Sequence, residues 1–510
     1  LVGGNMIKLN GKLGFEDYKK IVYYNENCEI DEKLLLKIDE NRKIIDDIIK
    51  SKKVVYGINT GFGVLASTTI SNENLENLQY NLIRSHSVGF GNPVPYHIVR
   101  GTILLRINSL LQSVSGVRRK TIETLVEALN KEIYPYVPEK GSLGASGDLA
   151  PLSHIILALI GEGECIVNGN RKPSIDVLKE KNIEPLKLSA KEGLALINGT
   201  PYMTSWFMHS LIEAEKLIFW ANFNAGFSIE NLNATLTPFR QEISAVRPHK
   251  GQIDASKVIY ELFKDSPRII SHKNCSKVQD AYSLRCTPQV HGAVLNAIYD
   301  CANVISIEMN SATDNPLIFE DDKIFSQGNF HGEILALYAD FLAIAISELA
   351  SISERRIERL LNPTLSNLPG FLVEDAGLQS GLMITQYTAA ALVSENKVLA
   401  HPASVDSIPV SANQEDHVSM GANAVLKLNK VIENTYGVLA TELLSNIFAK
   451  RFYNEDYAKI TKFILNYINE RIEFEYKDHP FYKDIEKLVI IMKDNIFFEK
   501  IKSNFEINKI

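Results

Sequence analysis

The feature that most limits the possible folds is a helical periodicity that continues, almost unbroken, from about residue 190 to residue 450. Apolar stripes at three- and four-residue spacing run through Val290–Asn310, Gly332–Leu361, Ile384–Ala400 and Ala424–Lys450. The segment Ala336–Ser353 is apolar on most sides, which is typical of a helix inside a bundle or an oligomer interface. We therefore expect a mainly α fold with a long central helical bundle.

The rest of the chain predicts a smaller N-terminal part and a helical C-terminal segment. We expect boundaries that give residues 6–195, 196–450 and 451–510. Between Glu164 and Lys172 the sequence predicts a β-hairpin, because Asn168-Gly169 is a favoured two-residue turn. Further helices are predicted over Asp31–Lys53, Leu75–Ser87, Val99–Leu111 and Arg118–Lys131.

Composition excludes several classes of protein. The 510 residues include 54 Lys and Arg against 61 Asp and Glu, so the net charge of −7 argues against a general nucleic-acid binder. Five widely spaced cysteines without a C-x-x-C pair predict no disulfide framework and no metal site, and they favour a reducing cytoplasm. The uncharged window Gly193–Ile212 carries too many polar groups for a membrane span, so we expect no membrane partner.

A glycine-rich loop, Gly144-Ala145-Ser146-Gly147-Asp148, offers two interpretations. One is a tight loop before a helix, with Asp148 as the N-cap and Pro151 in the first turn. The other is chemical, but the sequence lacks both the G-x-S-x-G pattern of a serine nucleophile and the lysine of a phosphate-binding loop.

The tripeptide Ala145-Ser146-Gly147 supports a different chemistry. A glycine nitrogen without a side chain beside it can reach back to the alanine carbonyl carbon and close a five-membered ring. Loss of water then leaves the serine Cβ as an exposed methylidene. The product is a carbon electrophile, which no standard side chain offers.

The segment Gly141–His154 resembles the signature of the aromatic amino acid ammonia-lyases. That family is known for the 4-methylidene-imidazol-5-one (MIO) group, which forms from Ala-Ser-Gly without an external cofactor. Other segments resemble further motifs of the family, in the same order: Tyr56–Gly63, Asn198–Thr200, Gln279–Arg285, Thr313–Pro316, Gly328–His331 and Asn413–His417.

The resemblance implies an oligomer. Family members are homotetramers of dihedral symmetry with active sites between subunits. The residues expected to meet there are Tyr56, His86 and Asn198 of one chain, Tyr282 and Arg285 of another and Phe330 of a third.

The resemblance also indicates the substrate. Ser85-His86 is similar to the pair found in the members that act on histidine, and Glu415 stands in an Asn-Gln-Glu segment that resembles theirs. An imidazole has one donor and one acceptor for such partners. A phenyl ring would leave His86 and Glu415 unpaired, at about 1–3 kcal/mol each. The implied reaction converts L-histidine to trans-urocanate and ammonia.

The reaction needs a base for the β-proton. We expect Tyr56, with Tyr282 as the rival. A free tyrosine has a pKa of about 10, so positive potential from Arg285 or from helix N-termini must lower it.

Four other residues receive roles from the resemblance. Arg285 binds the substrate carboxylate with its planar guanidinium, and Gln279 supports Arg285 or that carboxylate. Asn198 holds the amine or the carbonyl of the MIO ring, and Phe330 forms a wall of the pocket.

Three alternatives stay open on the sequence alone. An MIO-dependent aminomutase would move the amine instead of releasing it. A tyrosine or phenylalanine ammonia-lyase would share the chemistry but not the substrate. A helical scaffold without activity would leave the Ala145–Gly147 tripeptide uncyclised.

Overall fold

A computed structural model describes residues 6–51, 53–61, 63, 67–272, 277–320 and 323–507. The predicted mainly α fold is confirmed. The α-helices before residue 200 are Phe15–Tyr23, Glu32–Ser51, Leu75–His86, Tyr96–Leu110, Arg119–Asn130, Leu149–Leu159, Ser174–Glu180 and Glu192–Ile197. Those after it are Pro201–Asn231, Gln241–Ala245, Lys250–Phe263, Pro267–Ser271, Tyr282–Arg285, Thr287–Glu308, Glu333–Leu361, Pro363–Ser366, Met383–Leu399, Gly421–Lys450, Lys459–Asn469, Tyr482–Lys493 and Asn495–Asn504. Short 3₁₀ turns lie at Asn72–Asn74, Thr237–Phe239 and Gly370–Leu372.

The described strands form four separate two-stranded sheets. Strand Ile7–Leu9 pairs in parallel with Cys28–Ile30. The antiparallel pairs are Phe90–Pro93 with Pro138–Lys140, Glu164–Val167 with Asn170–Pro173, and Leu317–Ile318 with Ile324–Phe325. The predicted hairpin is confirmed, because Asn168 and Gly169 between its strands both have positive φ, 50° and 77°.

The chain divides into two compact units, each made of several segments. The first contains residues 1–209, 303–339 and 402–426, and the second contains residues 210–302, 340–401 and 427–510. The expected division at residues 195 and 450 stays a prediction.

In the first unit, a small apolar cluster fixes the loop that follows helix Glu32–Ser51. Ile45 and Ile48 of that helix pack with Ile58 and Ile318, and all four are buried. Because Ile58 lies two residues beyond Tyr56, its burial anchors the loop that carries the tyrosine.

In the second unit, a buried ion pair connects helices Glu333–Leu361 and Gly421–Lys450. The Arg356 guanidinium donates to both carboxylate oxygens of Glu442, at 2.5 and 2.8 Å, and both side chains are fully buried. Ser228 and Ser353 also donate to that carboxylate. These added donors satisfy the buried charges, which would otherwise be costly.

Two helices, Thr287–Glu308 and Glu333–Leu361, are long and apolar enough to cross a membrane on length and composition alone. Within the most apolar 18-residue window of each helix, the buried share is 44% for Thr287–Glu308 and 50% for Glu333–Leu361. Partial burial of an apolar helix is equally typical of a core helix, so these two helices are weak evidence for membrane insertion.

Candidate active site

The loop that carries the tripeptide is held against a second loop by backbone contacts. Gly147 has φ +75°, and a Cβ there would lie only 2.1 Å from the carbonyl oxygen of Gly199. The next amide, that of Asp148, donates to the same oxygen at 2.7 Å. Position 147 therefore requires glycine for its left-handed conformation and for this close approach.

Asn198 makes the most direct contact with the tripeptide. Its Nδ2 donates to the carbonyl oxygen of Ser146 at 2.7 Å. Its Oδ1 is buried and has no hydrogen-bond partner among the described residues. Because an unpaired buried acceptor is costly, this oxygen is available to a donor from a ligand.

A buried arginine positions Asn198. Arg106 lies in helix Tyr96–Leu110 and donates to the carbonyl oxygens of Asn198, at 2.6 Å, and Ala195, at 3.2 Å. Burial lowers the pKa of Arg106 to about 10, while Asp314 and Asp148 raise it. At neutral pH the guanidinium therefore stays charged and keeps both donors.

Asp148 caps a different helix from the one that the sequence predicts. It occupies the N-cap position of Leu149–Leu159, but its side chain makes no capping hydrogen bond there. Its Oδ2 instead accepts from the backbone N–H groups of Tyr202 and Met203, both at 3.0 Å, in the first turn of helix Pro201–Asn231. The predicted helix start is confirmed with Asp148 at the N-cap position, but the loop turns its carboxylate towards the neighbouring helix start, so the side chain makes its hydrogen bonds there.

The pKa of the Asp148 carboxyl is raised to about 7, because complete burial outweighs its hydrogen bonds from Met203, Ser142 and Tyr202 and the charge of Arg106. Ser142 is the donor from within the loop, at 3.2 Å from Oδ1. The carboxyl thus joins the tripeptide loop to the start of the long helix.

The segments that carry Phe330 and Glu415 both bind the tripeptide loop. The carbonyl oxygen of Gly144 accepts from the Gly332 amide at 3.3 Å and from the Ser419 hydroxyl at 2.9 Å. Phe330 and Glu415 are each half-buried close to these attachment points in the sequence.

His86 is the last residue of helix Leu75–His86. Its ring is held in one tautomer by a hydrogen bond to the backbone. Its Nδ1 lies 2.8 Å from the Leu82 carbonyl oxygen, which can only accept, so Nδ1 carries the proton. Burial lowers the pKa of His86, while the Leu82 bond and the charge of Glu415 raise it. The lowered pKa favours the neutral ring, in which the Nε2 lone pair can accept a hydrogen bond.

In the single chain, the pKa of Tyr56 is shifted in the direction opposite to the one the sequence predicts. The sequence predicts a lowered pKa, but burial and the charge of Glu415 raise the pKa of Tyr56, and only a backbone hydrogen bond from Gly63 lowers it. Within one chain the charged group that acts on Tyr56 is thus an anion, and the lowering of its pKa by Arg285 of another subunit stays a prediction. Glu415 acts electrostatically on both Tyr56 and His86, so these three residues share one region of the first unit.

The remaining predicted site residues, Gln279, Tyr282 and Arg285, belong to the second unit. Gln279 is exposed, and Tyr282 is 71% exposed. The Arg285 guanidinium lies 4.6 Å from the centre of the Tyr282 ring, in a cation–π contact. Arg356 donates to the Ser283 carbonyl oxygen at 3.4 Å and so supports the short helix that carries both residues. Within the motif Tyr56–Gly63, Phe62 lies outside the described residues.

Sequence reasoning missed Arg106 and the second role of Asp148. A signal for Arg106 was present, because it stands with Arg100 within the mainly apolar run Ile98–Leu111. A buried charge in such a run usually has specific partners. The Asp148 contact carries no local signal, since its partners belong to another helix.

The sequence matches the family described as aromatic amino acid lyase over residues 13–470. That match covers most of the chain, so the chain belongs to this family. The resemblance found in the motifs is thereby confirmed.

Particular members are similar over almost their full length. The histidine ammonia-lyase of Caldanaerobacter subterraneus subsp. tengcongensis is 48% identical over 492 residues, which cover 96% of this chain and 97% of that protein. The crystal structure of histidine ammonia-lyase from Trypanosoma cruzi has a TM-score of 0.89 at 40% identity, covering 98% of this chain and 95% of that one. Tyrosine aminomutase from Streptomyces globisporus has a TM-score of 0.92 at 34% identity, covering 98% of both chains.

Substitution Gly147→Ala tests the close packing of the tripeptide loop. The matched control is Gly169→Ala, which has the same kind of conformation, φ +77°, but no atom within 4 Å of the added Cβ. We expect the control to lose about 1–2 kcal/mol of unfolding free energy from backbone strain alone. Gly147→Ala should lose about 1–3 kcal/mol more from overpacking, measured by chemical denaturation. Equal losses would show that the contact with Gly199 is not rigid.

Proposed function

We propose that the protein is a carbon–nitrogen lyase that removes ammonia from L-histidine and releases trans-urocanate. The observation that carries the proposal is the contact from Asn198 Nδ2 to the Ser146 carbonyl oxygen at 2.7 Å. It places a polar side chain with a second, unused buried oxygen beside the Ala-Ser-Gly tripeptide. The two relatives described above as histidine ammonia-lyases support the same reaction for this chain.

The residues around the tripeptide fit an MIO group. In a ring closed from Gly147 N to the Ala145 carbonyl carbon, the Ser146 carbonyl keeps its oxygen, and Asn198 already donates to that oxygen. The absence of a side chain at Gly147 leaves its nitrogen accessible to the Ala145 carbonyl. When formed, the group supplies a carbon electrophile for the amine of the substrate.

The imidazole of the substrate would lie between His86 and Glu415. His86 Nε2 accepts a hydrogen bond from one ring N–H, because the His86 proton is held on Nδ1 by Leu82. Glu415 accepts from the other ring nitrogen and favours its protonated form. The effect of Glu415 on the pKa of His86 supports their proximity.

The remaining groups would act on the amino acid end of the substrate. Arg285 binds the carboxylate, with Gln279 in support. Either Tyr56 or Tyr282 removes the β-proton. For Tyr56, the raised pKa in the single chain means that a positive charge from another subunit must offset burial and Glu415.

We propose that four copies assemble and share their active sites. Ile334, Leu337 and Ile344 of helix Glu333–Leu361 recur at three- and seven-residue spacing and are 43–48% exposed. Such a stripe is typical of a surface that a second helix covers. We also propose a reducing cytoplasm as the location, since Cys28, Cys165 and Cys286 form no disulfide among the described residues.

An aminomutase is the second candidate, because the tyrosine aminomutase of Streptomyces globisporus shares the fold at a TM-score of 0.92. The identity of 34% to that enzyme is lower than the 40% and 48% to the histidine ammonia-lyases. A protonated imidazole can also donate to both His86 and Glu415, whereas a phenol has only one O–H to donate.

Ser146→Ala tests whether the tripeptide cyclises. We expect the intact mass of the unmodified protein to fall below its sequence mass by two water molecules, whereas Ser146→Ala matches its sequence mass and releases no ammonia from histidine. Ser153→Ala is the control, because its buried hydroxyl has no partner among the described residues, and it should retain the mass loss and activity. An active Ser146→Ala variant would refute the proposed electrophile.

His86→Phe tests the recognition of the ring. Loss of the Nε2 acceptor leaves the substrate N–H unpaired, so the ratio of kcat/KM for histidine to that for phenylalanine should fall about tenfold or more, equivalent to about 1.4 kcal/mol. The control is His249→Phe, a substitution at an exposed histidine. An unchanged ratio in His86→Phe would remove this residue from the binding site.

Co-expression tests whether chains share their sites. Ser146→Ala and Arg285→Ala chains, each inactive alone, should recover part of the activity when purified together through two tags. In some mixed assemblies, Ser146 of an Arg285→Ala chain and Arg285 of a Ser146→Ala chain can then meet in one active site. The control pair, Ser146→Ala with Asn198→Ala, should recover none, because Ser146 and Asn198 are in contact within one chain. No recovery in the first pair would place Arg285 in the same chain as the tripeptide it serves.

A further inference from the structure

Three potential metal ligands come together in the first unit, at the start of helix Glu333–Leu361. His331, Glu333 and His417 each offer one ligand atom, and these atoms all lie within 4.8 Å of one another. We propose that they bind a divalent transition-metal cation of the Zn²⁺ type. This site goes beyond the proposed reaction and revises the sequence prediction of no metal.

The carboxylate of Glu333 supports a cationic ligand. Its Oε2 is buried and has no hydrogen-bond partner among the described residues. A buried carboxylate oxygen without a donor or a cation is costly. Glu333 also lies in the first turn of its helix, where the helix dipole favours an acidic side chain.

A backbone carbonyl already holds one ring nitrogen of His331. His331 Nε2 donates to the backbone carbonyl oxygen of His417 at 3.2 Å, which leaves the lone pair on Nδ1. A metal-bound histidine usually donates its other ring N–H to a carbonyl or carboxylate in this way. The two rings stack with centroids 5.8 Å apart and an angle of 27° between their planes.

The donor set indicates the class of metal. Two imidazoles and one carboxylate suit Zn²⁺ and related divalent ions, whereas Mg²⁺ and Ca²⁺ prefer sites made of oxygen ligands. Three protein ligands leave a coordination position for water. The ligands are 86 residues apart at their extremes, so no short sequence pattern could reveal them.

A bound cation would join two segments that the proposed active site uses. His331 follows Phe330 directly, and His417 lies two residues beyond Glu415. A metal that holds both histidines would therefore limit the movement of both segments. Binding to the folded state alone also stabilises the folded protein.

The test is titration of the full-length protein, freed of metal by a chelator, with ZnCl₂ in a calorimeter. We expect one Zn²⁺ per chain, and at least about tenfold weaker binding in Glu333→Gln. Glu333→Gln keeps the shape of the side chain, and His331→Ala combined with His417→Ala provides an independent loss of ligands. His249→Ala is the matched control, since it removes an exposed histidine elsewhere and should bind Zn²⁺ like the unmodified protein.

Thermal unfolding with and without Zn²⁺ provides a second readout that does not need catalysis. The Tm should rise with Zn²⁺ in the unmodified protein and in His249→Ala, but not in either ligand variant. Circular dichroism establishes that the variants are folded. The proposal is overturned if the unmodified protein binds no Zn²⁺, or if both ligand variants bind it as tightly as His249→Ala does.

Discussion

The carbonyl oxygen of Gly144 is a junction at which three segments of the first unit meet. It accepts from Gly332 and Ser419, which belong to segments far apart in the sequence. A Cβ at Gly144 would lie 2.4 Å from the Ser419 hydroxyl, so the junction leaves no room for a side chain. Through these two hydrogen bonds, the loop that carries the Ala-Ser-Gly tripeptide is tied to the segments that carry Phe330 and Glu415.

Buried charged side chains bind the backbone of the segments that contact this loop. Arg106 fixes the backbone of Asn198, and Asp148 fixes the start of helix Pro201–Asn231. Lys191 and Asp314 form a further fully buried ion pair at 2.9 Å. Such charges are expensive to bury unless they are fully partnered. The hydrogen bonds of Arg106 and Asp148 to backbone groups hold the segments next to the tripeptide in place, which favours pre-organised chemistry.

Local features of the sequence predicted much of the fold. The periodicity of Asp31–Lys53 predicted the helix Glu32–Ser51, and Asn168-Gly169 predicted its hairpin, because helix period and turn chemistry act over a few residues. The family motifs also predicted which loops would carry polar side chains, and the contact of Asn198 with Ser146 agrees with one of its two proposed roles.

Interactions between distant segments could not be predicted. Asp148 caps a helix other than its own, because its conformation directs the carboxylate away from Leu149–Leu159. The rise in the pKa of Tyr56 depends on Glu415, which approaches only in the folded chain. Both effects depend on tertiary placement, which neither periodicity nor local propensity encodes.

The most direct test of the proposed function is the product formed by the purified protein from L-histidine, compared with L-tyrosine and L-phenylalanine under the same conditions. We predict that histidine yields urocanate and ammonia in equal amounts, and that the other two amino acids yield far less ammonia. Formation of a β-amino acid without ammonia, or faster release of ammonia from tyrosine or phenylalanine, would contradict the proposed function.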